Sequence, residues 1–97
     1  MNSLKKIEII TNSFDLKKIA KLLDKLQISG YTIIDDVKGK GARGMQEADG
    51  FTDLFTNSYL MTACDPEELD KIIKAIRPVL KSGGGVAFVA DIQSVIH

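Results

Sequence analysis

The order in which the apolar residues change their spacing constrains this chain more than any other feature. Lys6 to Thr11, KIEIIT, is rich in β-branched residues, with Ile7 and Ile9 on one face opposite Glu8 and Ile10, and predicts a strand. Asn12 or Ser13 can accept from the free N–H groups of a helix that begins at Phe14. Leu16, Ile19, Ala20, Leu23 and Leu26 recur there at helical spacing, with Lys17, Lys18, Lys21, Asp24 and Lys25 on the other face. Gly30 is the expected left-handed cap, and Tyr31 to Val37, YTIIDDV, predicts a second strand.

The pattern then lapses and returns. After a stretch without periodicity, Asn57 to Cys64, NSYLMTAC, predicts a third strand with Tyr59, Met61 and Ala63 on one face and Leu60, Thr62 and Cys64 on the other. Asp65-Pro66-Glu67-Glu68 combines a capping aspartate, a proline at the first helical position and a glutamate three residues after the cap. Leu69, Ile72, Ile73 and Ile76 supply the buried stripe of that helix, and Pro78 is expected to end or kink it near Ile76 to Arg77. Lys81 to Gly85, KSGGG, predicts a flexible turn, and Val86 to Ile92, VAFVADI, a final strand. The order β-α-β, loop, β-α-β implies an α+β fold of the ferredoxin-like split βαβ-βαβ kind, one domain over residues 1–97. In that fold a four-stranded antiparallel sheet carries two helices on one face.

Two helices leave the second face of the sheet uncovered. Ile10, Leu60 or Met61, and Val89 or Phe88 are the candidates for apolar side chains on it, and the pattern alone does not choose between the faces. An exposed apolar sheet face is an association surface, so an oligomer is expected.

The stretch without periodicity, Val37 to Phe55, has glycine at 39, 41, 44 and 50 and mixes Lys38, Lys40 and Arg43 with Glu47, Asp49 and Asp53. A connection of this length without structure of its own is uncommon in a compact domain and is usually functional or disordered. Gly39 and Gly41 permit positive φ or close approach of a ligand, successive N–H groups in such a turn can cup an anion, and Lys40 and Arg43 add positive charge. The same residue types also make ordinary solvated loops. Phe51, Leu54 and Phe55 at the far end either anchor the return to the third strand or form an apolar partner-binding tip.

Composition excludes several functions. Lysine plus arginine and aspartate plus glutamate number 13 each, so no long-range basic field exists to hold a nucleic acid. Nothing approaches 18 consecutive apolar residues, and the opening MNSLKKIEII has no signal-peptide cleavage site. With a single cysteine, this predicts a cytoplasmic protein. Groups for acid–base or nucleophilic chemistry are sparse. His97 stands at a terminus, and Cys64 precedes a helix whose dipole can lower its pKa, although a buried structural thiol is the plainer reading. Glu47, Asp49 and Asp53 match no calcium-loop spacing, Asp35 and Asp36 fall on opposite strand faces, and Lys71, Lys74, Arg77 and Lys81 read as a solvated helix face. Neither an enzyme nor a metal site is expected.

The two glycine segments, each at a fixed place in a split βαβ chain, resemble those of the PII signalling superfamily. KGKGARG from Lys38 to Gly44 is similar to the GxGRxKG-like start of its T-loop, and SGGGVAFV from Ser82 to Val89 resembles its B-loop and following strand, usually GDGKIFV. The T-loop-like segment is about 39–56 and the B-loop-like segment about 81–86. This resemblance implies a trimer whose sheets face one another around the threefold axis, with an adenine nucleotide (AMP, ADP, ATP or cyclic AMP) as effector in each cleft between subunits. It implies that Gly39, Gly41, Gly83, Gly84 and Gly85 give close backbone approach and that Lys40 and Arg43 hold phosphate.

Several positions depart from the family pattern. Gly84 replaces the aspartate of the B-loop, Val86 its phosphate-binding lysine, and Ala42 or Arg43 the glutamine with which nitrogen-sensing members help hold 2-oxoglutarate and magnesium. The chain also stops at His97, before the arginines of the usual C-terminal segment, so nitrogen-type sensing is not expected. The chain looks more like the divergent PII-like proteins associated with bicarbonate transport and carboxysomes. That likeness implies a non-enzymatic regulator acting through its loop on a target such as a membrane transporter or an enzyme, recruited to the membrane where the target is a transporter. Tyr31 and Tyr59 both lie in strands, so tyrosyl nucleotidylation of the loop is not expected. The alternative is a CutA-like or other ferredoxin-like trimer with a structural or cation-related role. The acylphosphatases of this fold need an arginine-bearing phosphate cradle where this chain has Thr11-Asn12-Ser13, which reads as a helix cap.

Overall fold

The computed structural model describes residues 1–40 and 54–96, with the backbone alone described for Leu54 and Phe55. The elements are β1 (Asn2–Thr11), α1 (Ser13–Lys25), β2 (Thr32–Lys40), β3 (Leu54–Cys64), α2 (Leu69–Gly83) and β4 (Val86–Ser94), with one 3-10 turn, Pro66–Glu68, leading into α2. The strands form one sheet in the order β2-β3-β1-β4, every neighbouring pair antiparallel. This is the expected α+β, ferredoxin-like βαβ-βαβ arrangement.

Strands run longer than their apolar patterns. β1 begins at Asn2 rather than Lys6 because it is a central strand, paired with β4 from Asn2↔Ser94 to Ile10↔Val86 and with β3 from Lys5↔Cys64 to Thr11↔Ser58. Backbone pairing on both sides carries the polar residues Asn2 to Lys5 into the ladder. β2 likewise continues through Lys38, Gly39 and Lys40, opposite Thr56, Phe55 and Leu54. The described parts of β2 and β3 therefore extend into the stretch read as aperiodic, leaving residues 41–53 between them.

Both helices correct that reading at their ends. Asn12 caps α1: its Oδ1 accepts from the Asp15 N–H at 2.8 Å and its Nδ2 donates to Asp15 Oδ2 at 2.8 Å. At the other end Gln27, with φ 60°, takes the left-handed position expected of Gly30. Gln27 N–H donates to Asp24 O at 3.0 Å and Ile28 N–H to Leu23 O at 3.1 Å, the paired bonds of a Schellman cap. Burial of Ile28 beside Leu23 in the core compensates a non-glycine residue there. Pro78 does not end α2, which continues to Gly83. Pro78 is exposed, so its missing N–H frees a carbonyl on the wet side of the helix, while Val79 and Leu80 keep packing against the core. Gly84, at φ 75°, is the actual cap, its N–H donating to Leu80 O at 2.8 Å.

The helices cover the face of the sheet that carries Ile7, Ile9, Leu60 and Cys64, and bury Leu16, Ile19, Leu23, Ile72 and Ile76 against it. Met61, not Leu60, is on the open side, and so is Phe88. Val89 pairs with Ile7 and faces the helices, yet it stays 45% exposed because the edge strand runs beyond their cover. In β2 the pairing shifts by one residue between Ile34 and Val37. Asp36 has φ 60° in this bulge, a conformation that aspartate tolerates better than most side chains. The extra residue leaves Ile34, opposite Tyr59, and Val37, opposite Asn57, on the same open face.

Thr11 is fully buried, and its Oγ1 has no hydrogen-bond partner among the described residues. Replacing that hydroxyl with a methyl group removes an uncompensated desolvation cost. Thr11→Val is expected to raise the unfolding free energy by about 1 kcal/mol, seen as a higher urea midpoint at unchanged slope.

Candidate functional site

The strand register brings the two glycine segments to one end of the sheet. Ile34 of β2 lies opposite Tyr59 of β3, Tyr59 opposite Ile10 of β1, and Ile10 opposite Val86 of β4. This row of four side chains crosses the open face from the base of the 41–53 connection to the glycine turn. A groove of about 420 Å³ opens along its β2 half, lined by Ile10, Ile34, Val37, Lys38, Gly39, Asn57 and Tyr59.

The predicted residues separate into two groups. Gly39 and Lys40 end β2, whereas Gly83, the last residue of α2, and Gly84 to Val86 lead into β4, the opposite edge strand. Three strand spacings, about 14 Å, lie between those edges, so one chain does not bring the groups together. Gly41 and Arg43 lie outside the described residues, as do Phe51 and the acidic candidates Glu47, Asp49 and Asp53, and so do the side chains of Leu54 and Phe55.

The glycines differ in what makes them glycine. A Cβ at Gly83 would stand 1.8 Å from Asp15 Oδ2, and one at Gly85 would stand 2.5 Å from Thr11 Cβ and 2.8 Å from Leu80 Cδ2. With the positive φ of Gly84, the chain's own packing accounts for all three. Gly39 is the opposite case. A Cβ there meets nothing within 4 Å, and its φ is not in the left-handed region. Among the described residues its missing side chain serves no contact, and it lines the groove.

Charge is arranged differently from the sequence reading. Val86, 46% exposed, stands on the open face where the family pattern has a lysine. Arg77 and Lys81, one helical turn apart on α2, border a separate groove of about 250 Å³ that reaches Gly85 and Ala87 from the helix side. They were legible only as a solvated helix face, since nothing local marks their closeness to the glycine turn. On the open face Tyr59 Oη donates to Glu8 Oε2 at 2.6 Å, and Lys6 Nζ is 3.8 Å from Glu8 Oε1. No sequence signal joined Glu8 to Tyr59, which are far apart in the chain.

The Cys64 thiol is pushed up, first by burial and then by the carboxylates of Glu68 and Asp65, which outweighs any lowering by the following helix. It is a core side chain, not an activated nucleophile. Among the described residues no three histidine, cysteine or carboxylate groups gather to hold a metal ion, and no helix is long and apolar enough to cross a membrane.

Both tyrosines ionise above their ordinary range, Tyr59 through its bond to Glu8 and Tyr31 through its bond to Asp24, in each case reinforced by burial and by the carboxylate charge. The neutral phenol is favoured in the folded state, so this contribution is complete below about pH 10 and is lost as pH rises through the folded-state pKa. In Glu8→Leu, one of the two phenolate absorbance steps near 295 nm is expected to move down toward the unperturbed position while the Tyr31 step stays.

The comparisons agree with this geometry. The family model described as nitrogen regulatory protein P-II matches residues 4–97. A search of curated proteins finds no match. Among solved structures, CPII, a nitrogen regulatory PII-like protein from Thiomonas intermedia K12 bound to ADP, AMP and bicarbonate, superposes with a TM-score of 0.83 at 28% identity, covering 99% of this chain and 97% of that one. The same protein bound to ADP and bicarbonate gives 0.79 at 32% identity, covering 96% and 89%. The B. subtilis GlnK–ATP complex gives 0.72 at 24% identity, covering 93% and 82%, a likeness of fold. With a family match over nearly its whole length and the same split βαβ sheet, this chain belongs to the P-II family and is similar to its CPII-type members.

Proposed function

We propose that this protein is a PII-like regulator that binds an adenine nucleotide and is not itself an enzyme. The observation that carries the reading is Gly39, a groove-lining glycine that no contact among the described residues requires. Such a position suits a flat base or a sugar pressed against the backbone. The apolar row Ile34–Tyr59–Ile10–Val86 extends from that point, and Lys38, which also lines the groove, brings a positive charge to its β2 side. ADP and AMP in the related CPII structures support the choice of ligand class.

In this reading the effector lies between copies of the chain. Gly39, Lys40, Gly41 and Arg43 of one copy meet Gly83 to Val86 of the next, because the two groups sit on opposite edges of one sheet. Three copies with their open faces inward make three such clefts. The connection over residues 41–53, with Phe51, Leu54 and Phe55 at its end, carries the state of the cleft to a target protein such as a transporter or an enzyme. A nucleotide shifts that state only through contacts that differ between liganded and free forms.

Calorimetric titration with AMP, ADP, ATP and cyclic AMP tests the reading. Saturable binding of at least one nucleotide, with three sites per trimer, is expected; no binding of any of them leaves the CutA-like alternative. Gly39→Val fills open space, so unfolding stability is expected to change by less than about 0.5 kcal/mol while nucleotide affinity falls roughly tenfold or more. Arg43→Ala is expected to weaken the phosphorylated effectors, and unchanged affinity removes Arg43 from the site.

A further inference from the structure

We infer that the groove between α2 and β4 is a second ligand site, for a small free carboxylate with an apolar body, held at its head by Arg77 and Lys81. This groove of about 250 Å³ lies on the helix side of the sheet, whereas the Gly39 groove lies on the open face at the opposite edge. The two share no lining residue, so the second site stands whether or not the first binds a nucleotide.

The floor is apolar because the edge strand outruns the helix above it. α2 sinks Ile72 and Ile76 into the core and leaves Ile73 and Leu80 half-buried at its flank. Ala87 pairs with Ile9 and so faces the helices, and its single methyl leaves the space between β4 and α2 unfilled. Val89, two residues on along the same side of β4, continues the apolar surface at 45% exposure.

The rim carries charge of one sign. Arg77 and Lys81 are four residues apart, which sets their Cβ atoms about 5–6 Å from each other on one helix face. Both are exposed, neither is in an ion pair among the described residues, and α2 has no acid after Asp70. Complementing the helix dipole explains Lys81, in the last turn, but not Arg77, which stands before it.

Two such cations over an apolar floor select a ligand with both properties. A neutral apolar molecule leaves the cations unused, and a bare inorganic anion leaves the floor wet. A carboxylate engages the Arg77 fork through both oxygens, with Lys81 beside it as a point charge, while a short chain covers Ile73, Leu80 and Ala87. The groove is smaller than the about 300–1,000 Å³ of drug-sized pockets, so the body is short. A recess between a helix and a strand suits a free molecule better than a flat bilayer.

Titration of the protein with octanoate, followed by amide NMR shifts, tests the site. Saturable shifts at Leu80, Lys81, Gly85 and Ala87 are expected, with one molecule per chain and an affinity that falls as salt is raised. Octanol and inorganic phosphate, each with half of the ligand's chemistry, are expected to bind about tenfold more weakly or worse. Arg77→Gln/Lys81→Gln, at two exposed positions, is expected to weaken octanoate about tenfold with the fold retained by circular dichroism. Ala87→Leu closes the groove and is expected to abolish the shifts, whereas Gly39→Val leaves them unchanged. Octanol that binds as tightly as octanoate overturns the site, and so does octanoate binding that is unchanged in Arg77→Gln/Lys81→Gln. Shifts confined to the Gly39 groove, or binding to phosphatidylglycerol vesicles without binding to octanoate, overturn it as well.

Discussion

A four-stranded antiparallel sheet has two faces, and this chain has two helices with which to cover one of them. β1, the central strand, shows the consequence within single residue steps. Ile7, Ile9 and Thr11 are fully buried under the helices, while Lys6, Glu8 and Ile10 turn to the uncovered side. Side chains alternate with a period of two, so neither set can move without the other. The bulge at Asp35 and Asp36 keeps this consistent at the edge, where the extra residue returns Val37 to the side of Ile34. Groove and exposed apolar face are thus two regions of one surface, left open by the count of helices.

This division explains what the sequence could reveal. Element types were legible because alternation and helical spacing are local properties, and the fold followed from their order. Boundaries were not. Asn2 to Lys5 and Lys38 to Lys40 have no apolar pattern, and the ladder with a neighbouring strand decides that they are extended. Gly30 was the obvious cap for α1 by residue type, but burial of Ile28 against Leu23 is a tertiary gain that favours Gln27. Pro78 was misread for a related reason, since its cost depends on whether the freed carbonyl faces core or solvent. The choice between Leu60 and Met61, or Phe88 and Val89, rested on helix contacts that no local pattern contains.

The candidate site was legible in part, and glycine shows where legibility stopped. In the sequence Gly39, Gly83, Gly84 and Gly85 look alike. The structure assigns Gly83 to the carboxylate of Asp15, Gly84 to a positive φ and Gly85 to the side chains of Thr11 and Leu80, and leaves Gly39 with no such neighbour among the described residues. A run of glycines is therefore poor evidence of a ligand, because close packing and chain reversal demand the same residue. Membership of the P-II family rests on the match over residues 4–97, not on these four positions.

The polar groups inside the covered layer connect stability to the site. Thr62 Oγ1 donates to Gly30 O at 2.6 Å and holds the connection between α1 and β2 onto β3. Ser58 Oγ donates to Asp35 Oδ1 at 3.0 Å and fixes the bulge that positions Ile34 and Val37. Asn12 and Asp15 cap α1 and fill the space that the missing side chain of Gly83 leaves at the end of α2. Each bond satisfies a group whose burial would otherwise cost about 1–3 kcal/mol, and the Ser58–Asp35 bond acts at the bulge beside the open-face row. Apolar residues at these three places would keep the core dry but release the segments that shape its surface. At the bulge, the bond that satisfies the buried Ser58 hydroxyl also sits beside Ile34 and Val37, which line the groove.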